Sequence, residues 1–449
     1  MKVVKFGGSS VASASQMKKV ASIIHSDAER KVIVVSAPGK RDANDIKTTD
    51  LLIDLAEKVI DGSDYNQALS RVVQRFEDIV VGLEMDNDVL EQLKENIINV
   101  IESHQIDAWT MDALKACGED GTALILAEYL KQSGSEAAYV NPKEAGIVVS
   151  DEPGKAQVLP ESMERLYQLR NRNEILVIPG FFGFSEEGRL VTFSRGGSDI
   201  TGSIVAAGVE AELYENFTDV DSVYCVNPTI VNQPKNINVL TYKEMRELSY
   251  AGFSVFHDEA LIPAFKKRIP VCIKNTNNPD APGTMIVAER PDQQGEVVGI
   301  ASDDGFLTLF VSKYLMNREL GFGRRLLQIL EDEHISFEHA PSGIDDMSVI
   351  IRESQMNEHK ERKVVARIEN ELEVDMVSIE RNMAMIMLVG EGMNRTIGIS
   401  GKATKAFNDV DVNIEMINQG SSEVSMMFGI KAGGLDRAVQ SLYKAFFAI

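Results

Sequence analysis

Four short stretches set charged or hydroxyl side chains beside glycines or at a strand end. The first is "KVVKFGGSSV" (2–11). Val3, Val4 and Phe6 suit a buried strand, and Gly7-Gly8 end it. Glycines at a strand end let backbone approach a ligand closely, and successive N–H groups form an anion nest. A helical pattern from about Ala12 brings the partial positive charge of a helix N-terminus to the same point. Lys5 then reads as a cation aimed at a phosphate; the competing reading is a lysine near a strand edge that snorkels to water.

The second stretch, "FSRGGSDITGS" (193–203), places Arg195, Gly196-Gly197, Ser198 and Asp199 between a strand-like run and a helix. Ser198 and Asp199 would cap that helix, which leaves Arg195 and two glycines unexplained. In "KACGEDGTALILAEYL" (115–130), Glu119 stands at the mouth of a helix between Gly118 and Gly121. A glutamate there often only supports the dipole. The fourth, "NFTDVDSVY" (216–224), is a strand end carrying Thr218 and Asp219, where an aspartate usually builds a turn. Two lookalikes fail. "TIGISGKAT" (396–404) has Thr396 where a P-loop needs glycine, and "GFGRRL" (321–326) lacks the third glycine of GxGxxG. Both read as helix entries.

Short apolar runs must position these residues. "KVIVVSAPG" (31–39), "NEILVIPGFFGF" (173–184), "AELYENFTDV" (211–220) and "IPVCIKNTNN" (269–278) read as strands. Helical patterns lie between them at 12–27, 50–103, 111–132, 160–170, 198–208 and 242–268. This alternation predicts an α/β domain on a mostly parallel sheet sandwiched by helices. Ligands then bind beyond the carboxyl ends of the strands. The acidic stretch 60–103 reads as a solvated helical insertion.

The length of 449 residues suggests about three domains. A net charge of −22 argues against nucleic acid and anionic membranes as partners. Cys117, Cys225 and Cys272 are far apart, and neither they nor the six histidines show metal-ligand spacing. No membrane span or signal peptide is indicated, so a reducing cytoplasm is expected.

An internal repeat appears after about residue 295. "EDEHISFEHAPSGIDDMSVII" (331–351) matches "NDVDVNIEMINQGSSEVSMMF" (408–428), with Glu338 over Glu415, Gly343 over Gly420 and Ser348 over Ser425. Each copy follows a helical pattern, predicting two small βαββ-type units. The expected division is 1–295, 296–380 and 381–449.

These motifs in this order, with "TDLL" (49–52), resemble the amino-acid kinase family, and within it the aspartokinases. The resemblance implies Mg²⁺-dependent transfer of phosphoryl from ATP to the L-aspartate side chain, with tandem ACT regulatory domains at the C-terminus. It implies that Lys5 meets the phosphates, that Asp199 orients Lys5, and that Gly7 and Gly8 supply backbone donors. Thr49, Glu119, Arg195 and Ser198 would hold aspartate; Thr218, Asp219 and Tyr224 would line the nucleotide side. The chain departs from the family pattern at Ser254 and Thr229, where many relatives have a lysine and an arginine, and Lys274 would replace part of that charge. The resemblance also implies an amino-acid effector, lysine before threonine, at Met316, Glu319, Phe322, Gly323, Phe337 and Glu338. It implies a homodimer or dimer of dimers through the ACT domains. Two other readings are a kinase acting on glutamate or an acylated amino acid, and a catalytically silent amino-acid sensor.

Overall fold

In the computed structural model, the N-terminal apolar run forms β1 (Lys2–Phe6), with Val3, Val4 and Phe6 wholly buried. The structure describes all residues except 104–105, 195, 254–258, 291–296, 421–423 and 449, and the side chain of residue 103. The chain divides into two compact units, one drawn from Met1–Val223, Asn236–Arg246 and Ser254–Pro291, the other from Tyr224–Lys235, Glu247–Phe253 and Asp292–Ile449.

The first unit is built on eight strands: β1, β2 (Arg30–Val35), β3 (Ala137–Tyr139), β4 (Ile175–Pro179), β5 (Leu213–Thr218), β6 (Val239–Thr241), β7 (Val271–Asn275) and β8 (Thr284–Val287). Their order is β6-β8-β7-β5-β1-β2-β4-β3, and every pairing is parallel except β7 with β8. The β-branched runs suit strands buried on both faces. Helices α1 (Ala14–His25), α2 (Thr48–Ile60), α3 (Asn66–Gly82), α4 (Asp88–Ser103), α5 (Thr110–Gln132) and α6 (Gly197–Gly208) complete the part that matters here.

The structure corrects two readings. The stretch 60–103 is no solvated insertion: Val72, Phe76, Ile79, Leu93 and Ile97 join one core with Phe6, Leu52 and Ile125. A Cβ on Gly121 of α5 would lie 2.6 Å from Leu93 and 3.1 Å from Phe76, so bare backbone lets the helices close. The pattern at 242–268 is two helices, Tyr242–Tyr250 and Ile262–Lys266.

The second unit holds a five-stranded antiparallel sheet made of β9 (Gly299–Ser312), β10 (Asp346–Arg352), β11 (Met376–Val389), β12 (Met416–Gln419) and β13 (Ser425–Lys431), in the order β10-β9-β11-β13-β12. Residues 306–312 of β9 pair with β10, while residues 383–389 of β11 pair with β13. The expected break at 380/381 therefore falls inside one continuous strand, because the two repeats share β9 and β11 instead of following one another. In the first repeat the expected strand near residue 337 is reduced to single bridges at His339 and Ser342. The two motif lookalikes do enter helices, α7 (Phe322–Asp332) and α9 (Ile399–Asn408; the intervening α8 is Glu358–Leu372). Gly321 (φ 79°) and Gly398 (φ 94°) stand before them in the left-handed region that glycine enters without a Cβ penalty.

Candidate active site

A cleft of about 570 Å³ opens at the carboxyl ends of four neighbouring strands. Gly8 and Ser9 enter it after β1, Ser36 to Gly39 after β2, Phe181 after β4 and Asp219 after β5. The first turn of α6 closes one side with Gly197, Ser198 and Asp199.

Lys5 is 6% exposed, and a buried ammonium needs a counter-charge. Its Nζ donates to Asp199 Oδ1 at 2.7 Å. Asn216, the register partner of Lys5 on β5, donates to the same oxygen at 2.7 Å. Tyr214 O–H, also on β5, donates to the Asp199 carbonyl at 3.3 Å. Ser198 and Asp199 are not caps. The N-cap is Gly196 (φ 71°), which makes no side-chain cap bond. Both side chains thereby stay available to the cleft, with Asp199 in the first turn where an anion is favoured.

Glu119 lies in the middle of α5, not at a helix mouth, so dipole support does not explain it. It is 5% exposed, and burial pushes its carboxyl up to about 8. Ser198 Oγ donates to Glu119 Oε1 at 3.5 Å, while the buried Oε2 has no partner among the described residues. A carboxylate half-satisfied at the edge of a cleft is built to receive a donor. Gly118 makes the approach possible: a Cβ there would sit 2.7 Å from the side chain of Ala37.

The two glycines of "KFGG" differ. Gly7 N–H already donates to the Phe217 carbonyl at 3.0 Å, so it is not the expected phosphate donor. Gly8 opens the 3₁₀ turn Gly8–Val11, whose first N–H groups have no partner within the turn. Gly39 N–H donates to Gly8 O at 2.8 Å. A Cβ on Gly39 would lie 2.6 Å from Gly8 C, so the crossing demands glycine.

Thr49 and Asp219 also line the cleft. Thr218 ends β5 and donates through Oγ1 to Asp219 at 3.2 Å. Tyr224 falls in the second unit. Arg195 and Ser254 lie outside the described residues. Thr229 forms a local turn, its N–H and Oγ1 both donating to Asn227 at 3.0 and 2.9 Å. Lys274 stands over the Phe217 ring at 5.9 Å. Lys40, Lys47, Phe181 and Asn216 were not singled out from the sequence. Only the position of Lys40 and Phe181 just after strand-ending "PG" pairs signals them.

The six expected effector residues have different surroundings. Met316 and Phe322 belong to a core with Leu326 and Ile329; Phe322, Leu326 and Ile329 share the inward face of one helix. Gly323 packs near Met347. Glu319 is paired with Lys313 at 2.8 Å and with Arg325, and these cations hold its carboxyl below the usual range. Phe337 is 43% exposed. Glu338 accepts from Tyr250 O–H, stands 3.5 Å from Arg352 Nε and lines a small cavity with both.

A model of the amino acid kinase family matches residues 1–275, and an ACT domain model matches 386–446. The chain belongs to the amino acid kinase family. Within that family it is similar to aspartokinases. It is 56% identical to Aspartokinase 3 of Bacillus subtilis (strain 168) over 100% of this chain and 99% of that one. Its structure is similar to the crystal structure of Clostridium acetobutylicum aspartate kinase, at a TM-score of 0.87 and 40% identity over 99% of each chain. E. coli aspartokinase III in complex with aspartate and ADP shares the fold, at a TM-score of 0.80 and 24% identity over 100% of each chain.

Proposed function

We propose that this enzyme is an aspartokinase, which transfers the γ-phosphoryl group of ATP to the side-chain carboxylate of L-aspartate. The product, 4-phospho-L-aspartate, opens the biosynthesis of lysine, threonine and methionine. The observation that carries this reading is one cleft holding the Lys5–Asp199 pair and a buried glutamate, Glu119, with one oxygen unpartnered.

The acceptor carboxylate, with a reference pKa of about 3.9, is already an ionised nucleophile at neutral pH. The site must bring two anions into line and stabilise charge on the moving group. A carboxylate oxygen attacks the γ-phosphorus, the bond to the β–γ bridging oxygen breaks, and ADP leaves. Lys5, steadied by Asp199, neutralises the transferring phosphoryl oxygens. The N–H groups at Gly8 cradle phosphate. Glu119 and Ser198 receive the substrate ammonium, which selects a free amino acid. Arg195 takes the α-carboxylate, and Thr49 supports the acceptor side. Asp219, Thr218 and Tyr224 border the nucleotide.

Among the described residues no group of three or more His, Cys, Asp or Glu side chains could hold a metal ion. Mg²⁺ usually arrives with phosphates and one or two carboxylates. Asp219, exposed in the cleft, fits that role. The ion would supply charge neutralisation.

The second unit is read as the regulator. It would bind an amino acid, lysine before threonine, and join two copies of the chain into a dimer or a dimer of dimers. E. coli aspartokinase III has been solved with lysine and aspartate in a T-state. No helix of the described residues is long and apolar enough to cross a membrane, and a cytoplasmic site of action is proposed.

The test is ADP release from ATP with L-aspartate, L-glutamate or N-acetyl-L-glutamate, each with and without Mg²⁺ and lysine, with hydroxylamine to trap the acyl phosphate. Mg²⁺- and aspartate-dependent release with hydroxamate supports the kinase, and its inhibition by lysine supports the regulator. Turnover only with another acid would replace aspartate. Turnover with none, in a protein that binds lysine, would make it a sensor.

A further inference from the structure

The loop between β2 and α2 carries three basic residues, and the structure puts them to different uses. Arg41 is tied to Asp45 and Asp78 at 2.9 Å each. Lys40 and Lys47 line the cleft and are exposed. Neither forms an ion pair with a described residue.

The backbone between them is anchored. Gly39 N–H donates to Gly8 O at 2.8 Å, and Thr48 N–H donates to Pro38 O at 3.1 Å. Arg75 of α3, 3% exposed, donates to Gly39 O and to Asp45 Oδ2 at 2.6 Å. Asp45 also accepts the Arg41 N–H at 2.8 Å. A buried guanidinium thus clamps the loop from behind, and the two lysines are what it presents to the cleft.

The cleft has a use for them. Its lining includes Glu119, Asp199 and Asp219, and the charge of Lys5 is balanced by Asp199. An acceptor with two carboxylates must still enter beside a triphosphate, and like charges so close repel strongly in a partly buried site. The loop also abuts the acceptor side. Ala37 packs on Gly118, next to Glu119, and Thr49 follows Lys47 into the first turn of α2.

We propose that Lys40 and Lys47 are substrate-binding residues that hold the carboxylates of the acceptor amino acid alongside Arg195, with Arg75 as the positioning residue of their loop. This rests on reading Glu119 as the receiver of the acceptor's ammonium. The lysines then oppose Glu119 across the same small molecule and complete its recognition as a zwitterion with an extra acid group.

The experiment varies aspartate and ATP independently in wild type, K40A, K47A, the double variant and the charge-keeping K40R/K47R. The double variant is expected to raise KM for aspartate at least roughly tenfold, as the loss of charge-assisted hydrogen bonds does. KM for ATP stays within about twofold and kcat within about threefold, as expected for groups that bind ground and transition states alike. K40R/K47R recovers most of the affinity. R75M reproduces the rise in KM for aspartate, and adding R75M to the double variant raises it little further, because both act through one loop. If R75M does not fold, the lysine variants carry the test alone. A rise in KM for ATP with KM for aspartate unchanged, or no change in either, overturns the proposal. If wild type shows no aspartate-dependent ADP release, the kinase reading fails separately. Calorimetric titration of L-aspartate then decides: weaker binding by the double variant supports the lysine wall, and equal binding overturns it.

Discussion

Lys5 and Asp199 are 194 residues apart in sequence and 2.7 Å apart in space. Asn216 shares the same carboxylate oxygen at 2.7 Å. One oxygen thus fixes a cation on the central strand, an amide on its neighbour and the first turn of α6. The ammonium is held where phosphate must come, and ordering it in advance is what makes such a charge effective on a moving phosphoryl group.

Replacing Lys5 by Met is expected to lower kcat by about 10²–10³-fold, the loss typical of one preorganised donor. KM for aspartate should stay within a few-fold. D199N should lower kcat less, because Asn216 and the helix turn still border the ammonium. Steady-state ADP release reads both, and circular dichroism confirms the fold. A K5M enzyme with most of its turnover would contradict the assignment.

Glu119 predicts a pH dependence. Its carboxyl is pushed up to about 8 by burial, from an ordinary value near 4.3. Between those values the folded protein without substrate holds the proton, whereas ammonium binding needs the carboxylate. Affinity for aspartate should therefore improve with pH, by up to about tenfold per unit, and level off above about 8. E119Q should bind aspartate weakly with a flat profile. The same shift means that this group's contribution to stability is full below about 4.3 and is lost as pH rises through about 8. Calorimetric titrations in buffers of different ionisation enthalpy would detect the released proton.

G39A forces a methyl group to within 2.6 Å of Gly8 C and 2.8 Å of Ser9 N. Both contacts are backbone, so the phosphate turn must move. The expected cost is about 1–3 kcal/mol of stability with a raised KM for ATP. Urea unfolding and nucleotide kinetics would measure the two effects, and an unchanged KM for ATP would separate the crossing from the nucleotide site.

Phe76→Ala tests whether α3 belongs to the core. Phe76 is wholly buried against α5. The expected loss is about 3–5 kcal/mol. A loss near zero in denaturant unfolding would restore the reading of 60–103 as a solvated insertion.

Local signals carried the reading of the strands. β-branched runs stopped by glycine or proline mark strand ends, and in a parallel sheet strand ends are where ligands bind. Lys5, Gly8, Asp199 and Asp219 were legible for that reason. The helices of 60–103 were misread because an amphipathic pattern looks alike whether its apolar stripe is modest or packed on a neighbour. Val72, Phe76, Ile79 and Val80 repeat at helical spacing, but the partner, α5, lies far along the chain. Gly7 was misassigned because a glycine's use depends on what its N–H meets, here the Phe217 carbonyl.

The sequence by itself determined the alternation of strands and helices around the site, the repeat in the second unit, and the residue types that can meet a phosphate and an amino acid, while the short strands Ala137–Tyr139, Val239–Thr241 and Thr284–Val287 went unread. Those features are written in local period, spacing and turn chemistry. Tertiary structure alone decided the rest. It placed Glu119 mid-helix with an unpartnered oxygen, joined Lys5 to Asp199 and Asn216, crossed Gly8 with Gly39, and ran β9 and β11 through both repeats. It also turned Lys40 and Lys47 into cleft residues while committing Arg41 and Arg75 to the scaffold. Each of these joins residues far apart in sequence or sorts like charges by their surroundings, and only the packed chain supplies those surroundings.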